Sequence, residues 1–281
     1  MIKLSTNVVT DKFPSPLSLS DKITVLGSCF ADEMGIRMRN AGFNVCVNPF
    51  GTLYNPISIA NSIARLDHCI HFRPDECVEM GAGAGKICSW AHHTSFARAT
   101  ADEFLANANK ALEEASIFWK ESNKVVITLG TAMVWKRVEG GEVVSNCLKR
   151  PAAEFSHEML PVEQMIPVLR RMVSSHPDKE FIFTVSPIRH MGDGAHMNSL
   201  SKASLLLALD AVGVQYFPAY EIMMDELRDY RFYAEDLVHP SKTAADLIWE
   251  RFLEAAVRQE DLTAIQANEK KAKAAAHRQK E

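Results

Sequence analysis

Short apolar runs recur along the chain, most closed by glycine or stopped by proline, and each gives way to a segment whose apolar residues return every three or four positions. The runs Ile23–Gly27 (ITVLG), Phe43–Val47, Lys124–Gly130 (KVVITLG), Phe181–Ser186 (FIFTVS) and Val214–Phe217 read as buried strands. The periodic segments Phe30–Ala41, Ile57–Leu66, Ala101–Trp119, Ser156–Ser175, Ser199–Val212, Ala219–Leu227 and Thr243–Arg258 read as helices, two of them closed by Gly42 and Gly213. Strands alternating with helices imply parallel pairing through right-handed crossovers. The expected architecture is α/β, a three-layer α/β/α sandwich around a mostly parallel sheet of about five strands.

Two stretches interrupt the alternation. Residues 67–98 read as an irregular insertion containing a loop or hairpin, and 133–147 as a hairpin excursion around Glu139-Gly140-Gly141-Glu142. The insertion carries Gly81-Ala82-Gly83-Ala84-Gly85-Lys86, which lacks the spacing of a phosphate-binding loop and is read as a flexible turn. The pattern supports one domain over 1–258. Residues 259–281 form a charged, alanine-rich tail, either a solvated helix or a frayed end.

Composition narrows the function classes. The chain has 281 residues, 47% of them hydrophobic, enough for a large core. A net charge of −4 gives no support to nucleic-acid binding. No apolar run reaches membrane-spanning length and no leader-like apolar segment opens the sequence, so the expectation is a cytoplasmic protein without a membrane partner. The six cysteines contain no C-x-x-C pair and are read as reduced thiols in apolar surroundings. No histidine spacing suits a metal, and neither a metal nor another cofactor is expected. The sequence is silent on oligomeric state.

The chemistry concentrates where predicted strands end. At Gly27-Ser28 a strand stops at glycine and a serine opens the next helix, where backbone N–H groups can stabilise an oxyanion. Serine is also a common helix cap, which is the plainer reading of that position alone. Asp236 and His239 stand three apart before the last patterned helix, with Pro240 fixing the backbone. Such a histidine can deprotonate a hydroxyl while the aspartate orients its ring. Successive residues at a helix start point in different directions, so Ser28 and Cys29 do not share one role. Ser28 is the expected nucleophile and Cys29 a packing residue under the turn. His92 and His93, His190 and Arg189 are expected pocket residues, Arg189 suiting a carboxylate or phosphate, and His196 an exposed loop residue.

Gly27-Ser28-Cys29-Phe30-Ala31 resembles the motif that names the GSCFA family. The likeness continues through Asn48-Pro49-Phe50-Gly51-Thr52, Tyr54-Asn55-Pro56 and Ser89-Trp90 with His92-His93-Thr94-Ser95-Phe96. It extends to Gly130-Thr131 with Trp135, to Ser186-Pro187-Ile188-Arg189-His190, to Asn198 with Ser201-Lys202-Ala203, and to the Asp236–His239 block. That family is in turn similar, more distantly, to SGNH hydrolases, whose fold is of the flavodoxin-like three-layer kind. The resemblance implies a metal-independent serine esterase with the triad Ser28, His239 and Asp236. It implies an oxyanion hole from Ser28 and Gly51, with Thr131 where SGNH enzymes carry an asparagine, and Asn55 or His190 as other donors. Asn55, His92, His93, Trp135, Arg189 and His190 are the expected substrate-binding residues. The implied substrate is a small-molecule or carbohydrate ester, such as an O-acetyl sugar. Acyl transfer to a sugar or other alcohol, and a non-catalytic glycan- or acyl-ligand-binding module, are the alternatives.

Overall fold

The computed structural model describes residues 6–278. The N-terminal part of the chain contains strand β1 (Lys22–Gly27), helix α1 (Cys29–Ala41), strand β2 (Asn44–Val47) and helix α2 (Pro56–His68). A two-stranded hairpin, β3 (Val78–Glu79) and β4 (Ile87–Cys88), then precedes α3 (Ala101–Glu121) and β5 (Lys124–Leu129). The strands β6 (Met133–Arg137), β7 (Val143–Val144) and β8 (Phe155–Met159) build a separate antiparallel sheet. After it come α4 (Val162–Ser174), β9 (Glu180–Val185), α5 (Gly194–Val212) and β10 (Gln215–Tyr216). A single turn α6 (Ala219–Glu221), then α7 (Lys242–Ala256) and α8 (Leu262–Arg278) complete the described chain.

The main sheet runs β10-β9-β5-β1-β2 and is parallel throughout. Taken in chain order its strands lie 2-1-3-4-5, so the direction of winding reverses between β1 and β5, and the crevice at that switch point, at the carboxyl ends of the strands, is where such folds bind ligands. The fold is the α/β/α sandwich expected from the pattern. Buried residues alternate between its faces. Leu26, Val125, Ile127, Phe181 and Phe183 join the core beneath α2, α3, α4 and α5. Ile23, Val25, Val126 and Ile182 join the core beneath α1 and α7. Because both faces are covered, the central strands β1, β5 and β9 read as nearly continuous apolar runs. No helix among the described residues is long and apolar enough to cross a membrane.

The antiparallel sheet corrects one sequence expectation. Residues 155–159, expected in a helix over 156–175, pair with β6 instead. Their burial alternates with a period of two, Phe155 inward and Ser156 and Glu158 outward, and the helix starts only after Pro161. The GAGAGK segment is the turn of the β3–β4 hairpin. His196 lies in the first turn of α5 rather than in a loop. The charged segment near the end is largely helix α8, anchored on α1: Ile265 is fully buried and Asn268 Nδ2 donates to Ala41 O at 3.0 Å. All six cysteines are unpaired.

The β1-to-α1 turn is tightly specified. Gly27 has φ +136°, and a Cβ there would stand 2.1 Å from Thr128 O on the neighbouring strand. Asn48 locks the same turn, accepting from Gly27 N at 2.8 Å and donating to Asp32 at 2.7 Å. Gly27→Ala therefore combines a backbone clash with a disfavoured φ and is expected to cost about 3 kcal/mol or more. The check is a fall in urea midpoint at unchanged m-value; an unchanged midpoint would mean that the turn can relax.

Candidate active site

Cys29, not Ser28, faces the histidine. Ser28 is the N-cap of α1 and is fully buried. Its Oγ accepts from Phe30 N at 3.3 Å and lies 3.2 Å from Thr128 Oγ1, inside the fold. The next residue begins the helix and points the other way. Cys29 Sγ lies 3.7 Å from His239 Nε2 and 3.8 Å from the Tyr54 hydroxyl. Local geometry therefore sets the Ser28 side chain, expected as the nucleophile, back onto its own helix, and sets the first helical residue beside His239 and Tyr54.

The histidine is oriented by its own loop. His239 Nδ1 lies 2.6 Å from Asp236 Oδ2, and Asp236 Oδ1 accepts from the backbone N–H groups of Val238 at 2.9 Å and His239 at 3.0 Å. Hydrogen bonds from those backbone groups, and then from the His239 ring, hold the Asp236 pKa down at about 2. An ionised carboxylate only accepts, so Nδ1 carries the imidazole proton and Nε2 is left as the base toward Cys29. Leu237, at φ 56°, makes the tight turn between the pair. Burial, against a weaker opposing hydrogen bond from Tyr54, pushes the Cys29 thiol above its ordinary pKa, so it rests protonated.

The expected oxyanion donors are occupied elsewhere. Ser28 N–H donates to Thr128 O at 3.1 Å, and Gly51 N–H to Asn48 O at 2.8 Å. Thr131 N–H donates to Tyr54 O at 3.0 Å, while its hydroxyl pairs with Ser201 at 2.9 Å and accepts from Met133 N at 3.0 Å. Asn55 is the N-cap of α2, both arms of its amide on Ser58. These backbone and cap engagements occupy the donors of Ser28, Gly51, Thr131 and Asn55 within the fold.

The expected substrate residues divide. His190 belongs to the site, packing edge-on against Tyr54 with ring centroids 5.7 Å apart. Burial, with Lys202 and His239 nearby, pushes its pKa down to about 4, and its Nε2 is buried without a hydrogen-bond partner. Arg189 docks the loop through its backbone, donating to Val238 O at 3.2 Å, with its guanidinium over the Tyr233 ring. His92 is instead a core residue, fully buried among Phe50, Phe72, Phe96 and Phe104 with Nδ1 2.7 Å from Ser89 Oγ. His93 caps a short turn, accepting from Ser95 N. Trp135 stacks flat on His157 at 3.9 Å on the antiparallel sheet.

A row of buried side chains on α5 braces the strand ends. Asn198 accepts from His190 N at 2.9 Å. Ser201 accepts from Ala132 N at 2.8 Å. Lys202 donates to Gly130 O at 2.7 Å and Ser186 O at 2.8 Å. Sequence reasoning weighed Cys29 against Ser28 and set it under the turn as a packing residue, and it gave no role to Tyr54 or to this bracing by Lys202. The available signal was the cap preference of serine, which places the side chain after it in the crevice. No group of three metal-ligating side chains lies together among the described residues.

The sequence model of the GSCFA family matches residues 22–252, a span that includes Cys29, Tyr54, Lys202 and the Asp236–His239 loop. No curated protein and no solved structure matches.

The buried histidines set an acid sensitivity. Burial lowers the His92 pKa from 6.5 to about 3. Between those values the unfolded chain binds a proton that the folded chain excludes. Stability therefore falls as pH drops through that window, by up to about 1.4 kcal/mol per pH unit. His190 adds the same sign down to about pH 4. Urea unfolding measured at several pH values is expected to show a shallower acid slope in His92→Phe than in the wild type; equal slopes would remove His92 as the cause.

Proposed function

The chain belongs to the GSCFA family, and we propose that it hydrolyses esters through a Cys29–His239–Asp236 triad by way of an acyl-thioester. The observation that carries this reading is the 3.7 Å approach of Cys29 Sγ to His239 Nε2, with Nδ1 held 2.6 Å from Asp236. The site is an esterase site with a thiol where a hydroxyl was expected. The SGNH likeness of the motifs points to O-acetyl or related acyl groups on a carbohydrate as substrate.

The resting thiol is protonated, so attack needs the base. His239 Nε2 takes the Sγ proton as the S–C bond forms and the carbonyl π pair moves onto oxygen. Collapse re-forms the carbonyl and breaks the bond to the alcohol oxygen, which takes the proton from His239. Water, deprotonated by the same imidazole, then attacks the thioester, releasing the acid and returning the proton to Sγ. Asp236 holds the ring and stabilises the imidazolium formed in each step.

The test is turnover of a p-nitrophenyl ester series, acetate through octanoate. Cys29→Ala is expected to lose at least about 10³ in kcat, the size of effect seen when a nucleophile is removed. Ser28→Ala is expected to keep activity within about tenfold while losing about 1 kcal/mol of stability, the worth of an N-cap. Activity that survives in Cys29→Ala and vanishes in Ser28→Ala would reverse the assignment. Equal background rates from wild type and Cys29→Ala would reject ester hydrolysis in favour of ligand binding without turnover.

A further inference from the structure

The reading above lacks one component: a donor for the oxygen that becomes negative when the thiol attacks. Four of the donors suggested by sequence are engaged within the fold, Gly51 N–H on Asn48 O, Ser28 N–H on Thr128 O, the Thr131 hydroxyl on Ser201 and the Asn55 amide on Ser58, while the fifth, His190, is packed edge-on against Tyr54. We propose that the Tyr54 hydroxyl is the oxyanion donor of this site, acting with the backbone N–H of Cys29 in the first turn of α1. The inference rests on Cys29 as nucleophile and names a catalytic residue beyond the triad.

The Tyr54 hydroxyl lies 3.8 Å from Cys29 Sγ, so an oxygen on a carbon bonded to that sulfur falls within hydrogen-bond reach. The hydroxyl is held from the other side by Thr52 Oγ1 at 3.1 Å. The ring is fixed against His190, and the backbone carbonyl of Tyr54 accepts from both Gly130 N at 2.8 Å and Thr131 N at 3.0 Å. The residue is therefore tied to the carboxyl end of β5, next to the strand that delivers Cys29. Burial and the neighbouring Cys29 push the phenol up to about 12, so it keeps its proton wherever the imidazole works as a base. Cys29 is the first residue of α1, where a backbone N–H has no partner within the helix.

The arrangement is differential by construction. Before attack the hydroxyl faces a neutral thiol across a long, weak contact. After attack it faces an alkoxide, and a neutral donor placed there in advance gains most when the charge appears.

The test separates this assignment from the triad. On full-length protein, Tyr54→Phe is expected to lower kcat for p-nitrophenyl acetate by about 10²–10³, the worth of one oxyanion donor, with KM within about threefold. Alkylation of Cys29 by iodoacetamide builds no oxyanion and is expected to stay within about twofold of wild type. A second readout needs no turnover: butyraldehyde adds to the thiol, forming an S–C bond as the proton passes to the carbonyl oxygen, and shields Cys29 from iodoacetamide. Tyr54→Phe is expected to need at least about tenfold more aldehyde for the same shielding. Thr52→Val, which leaves the phenol in place, is expected to show a smaller loss in both assays. Undiminished kcat, or undiminished shielding, in Tyr54→Phe overturns the proposal. So does a parallel loss of iodoacetamide reactivity, which would place Tyr54 on the thiol itself. A wild type that fails on esters but is shielded more tightly than Tyr54→Phe retires the esterase reading and upholds the donor.

Discussion

A lysine that bonds two backbone carbonyls ties together the two strand ends on which the site is built. Lys202 is essentially inaccessible, and its Nζ donates to Gly130 O beyond β5 and Ser186 O beyond β9. Carbonyls at strand ends have no ladder partner, and leaving them buried and unpaired is costly. Burial pushes the lysine pKa down to about 7, and a neutral amine still has the two N–H groups that these two acceptors require. The clamp therefore survives titration. From it the order spreads outward: the Gly130 and Thr131 amides fix the Tyr54 carbonyl, and Asn198, one helical turn before Lys202, fixes the His190 backbone. Tyr54 and His190 then hold each other. Loop residues gain the precision of a strand because a helix behind the sheet grips the ends of the strands.

The second constraint is the division of labour at the start of α1. An N-cap side chain satisfies an orphan amide of its helix, which commits it to the protein; the residue after it has no such duty. In Gly27-Ser28-Cys29 the glycine allows contact with Thr128, the serine closes the helix, and the cysteine is presented. A thiol at a helix start is often acidified by the macrodipole. Here burial, helped by the nearby charges of Asp32 and Glu33, outweighs that effect and keeps the sulfur protonated. In the proposed reaction this makes attack a general-base step with no preformed thiolate, which gives the orientation of His239 by Asp236 its weight.

Much of the sheet was legible because its strands are buried on both faces, so KVVITL and FIFTV stand out as apolar runs without any alternation to decipher. Strand β8 was not legible because FSHEM carries a single large inward residue and runs directly toward a helical pattern, so its two-residue period is too short to compete. The Asp236–His239 pair was visible as a local spacing, since both residues lie in one turn. Which N–H groups stay free was not, because that depends on which distant carbonyl each has found: Gly51 is spent on Asn48, and Thr131 on Tyr54 and Ser201. His92 and His93 illustrate the same limit. They are neighbours in sequence, yet one is enclosed by four phenylalanines and the other caps a surface turn.

The electrostatic design that results is nearly charge-free inside and charged at the mouth. Burial favours the neutral forms of Cys29, Tyr54 and His190. Asp236, firmly ionised, sits at the half-exposed rim, its charge met by two backbone amides and the imidazole. In the proposed reaction, charge arises as the proton leaves sulfur for Nε2 and the carbonyl oxygen becomes an alkoxide. At that instant Asp236 faces a new cation and the phenol a new anion, both through hydrogen-bonding groups already in place. In surroundings of low dielectric such interactions are far stronger than in water, and because they are absent from the resting state they act on the barrier rather than on the binding of substrate.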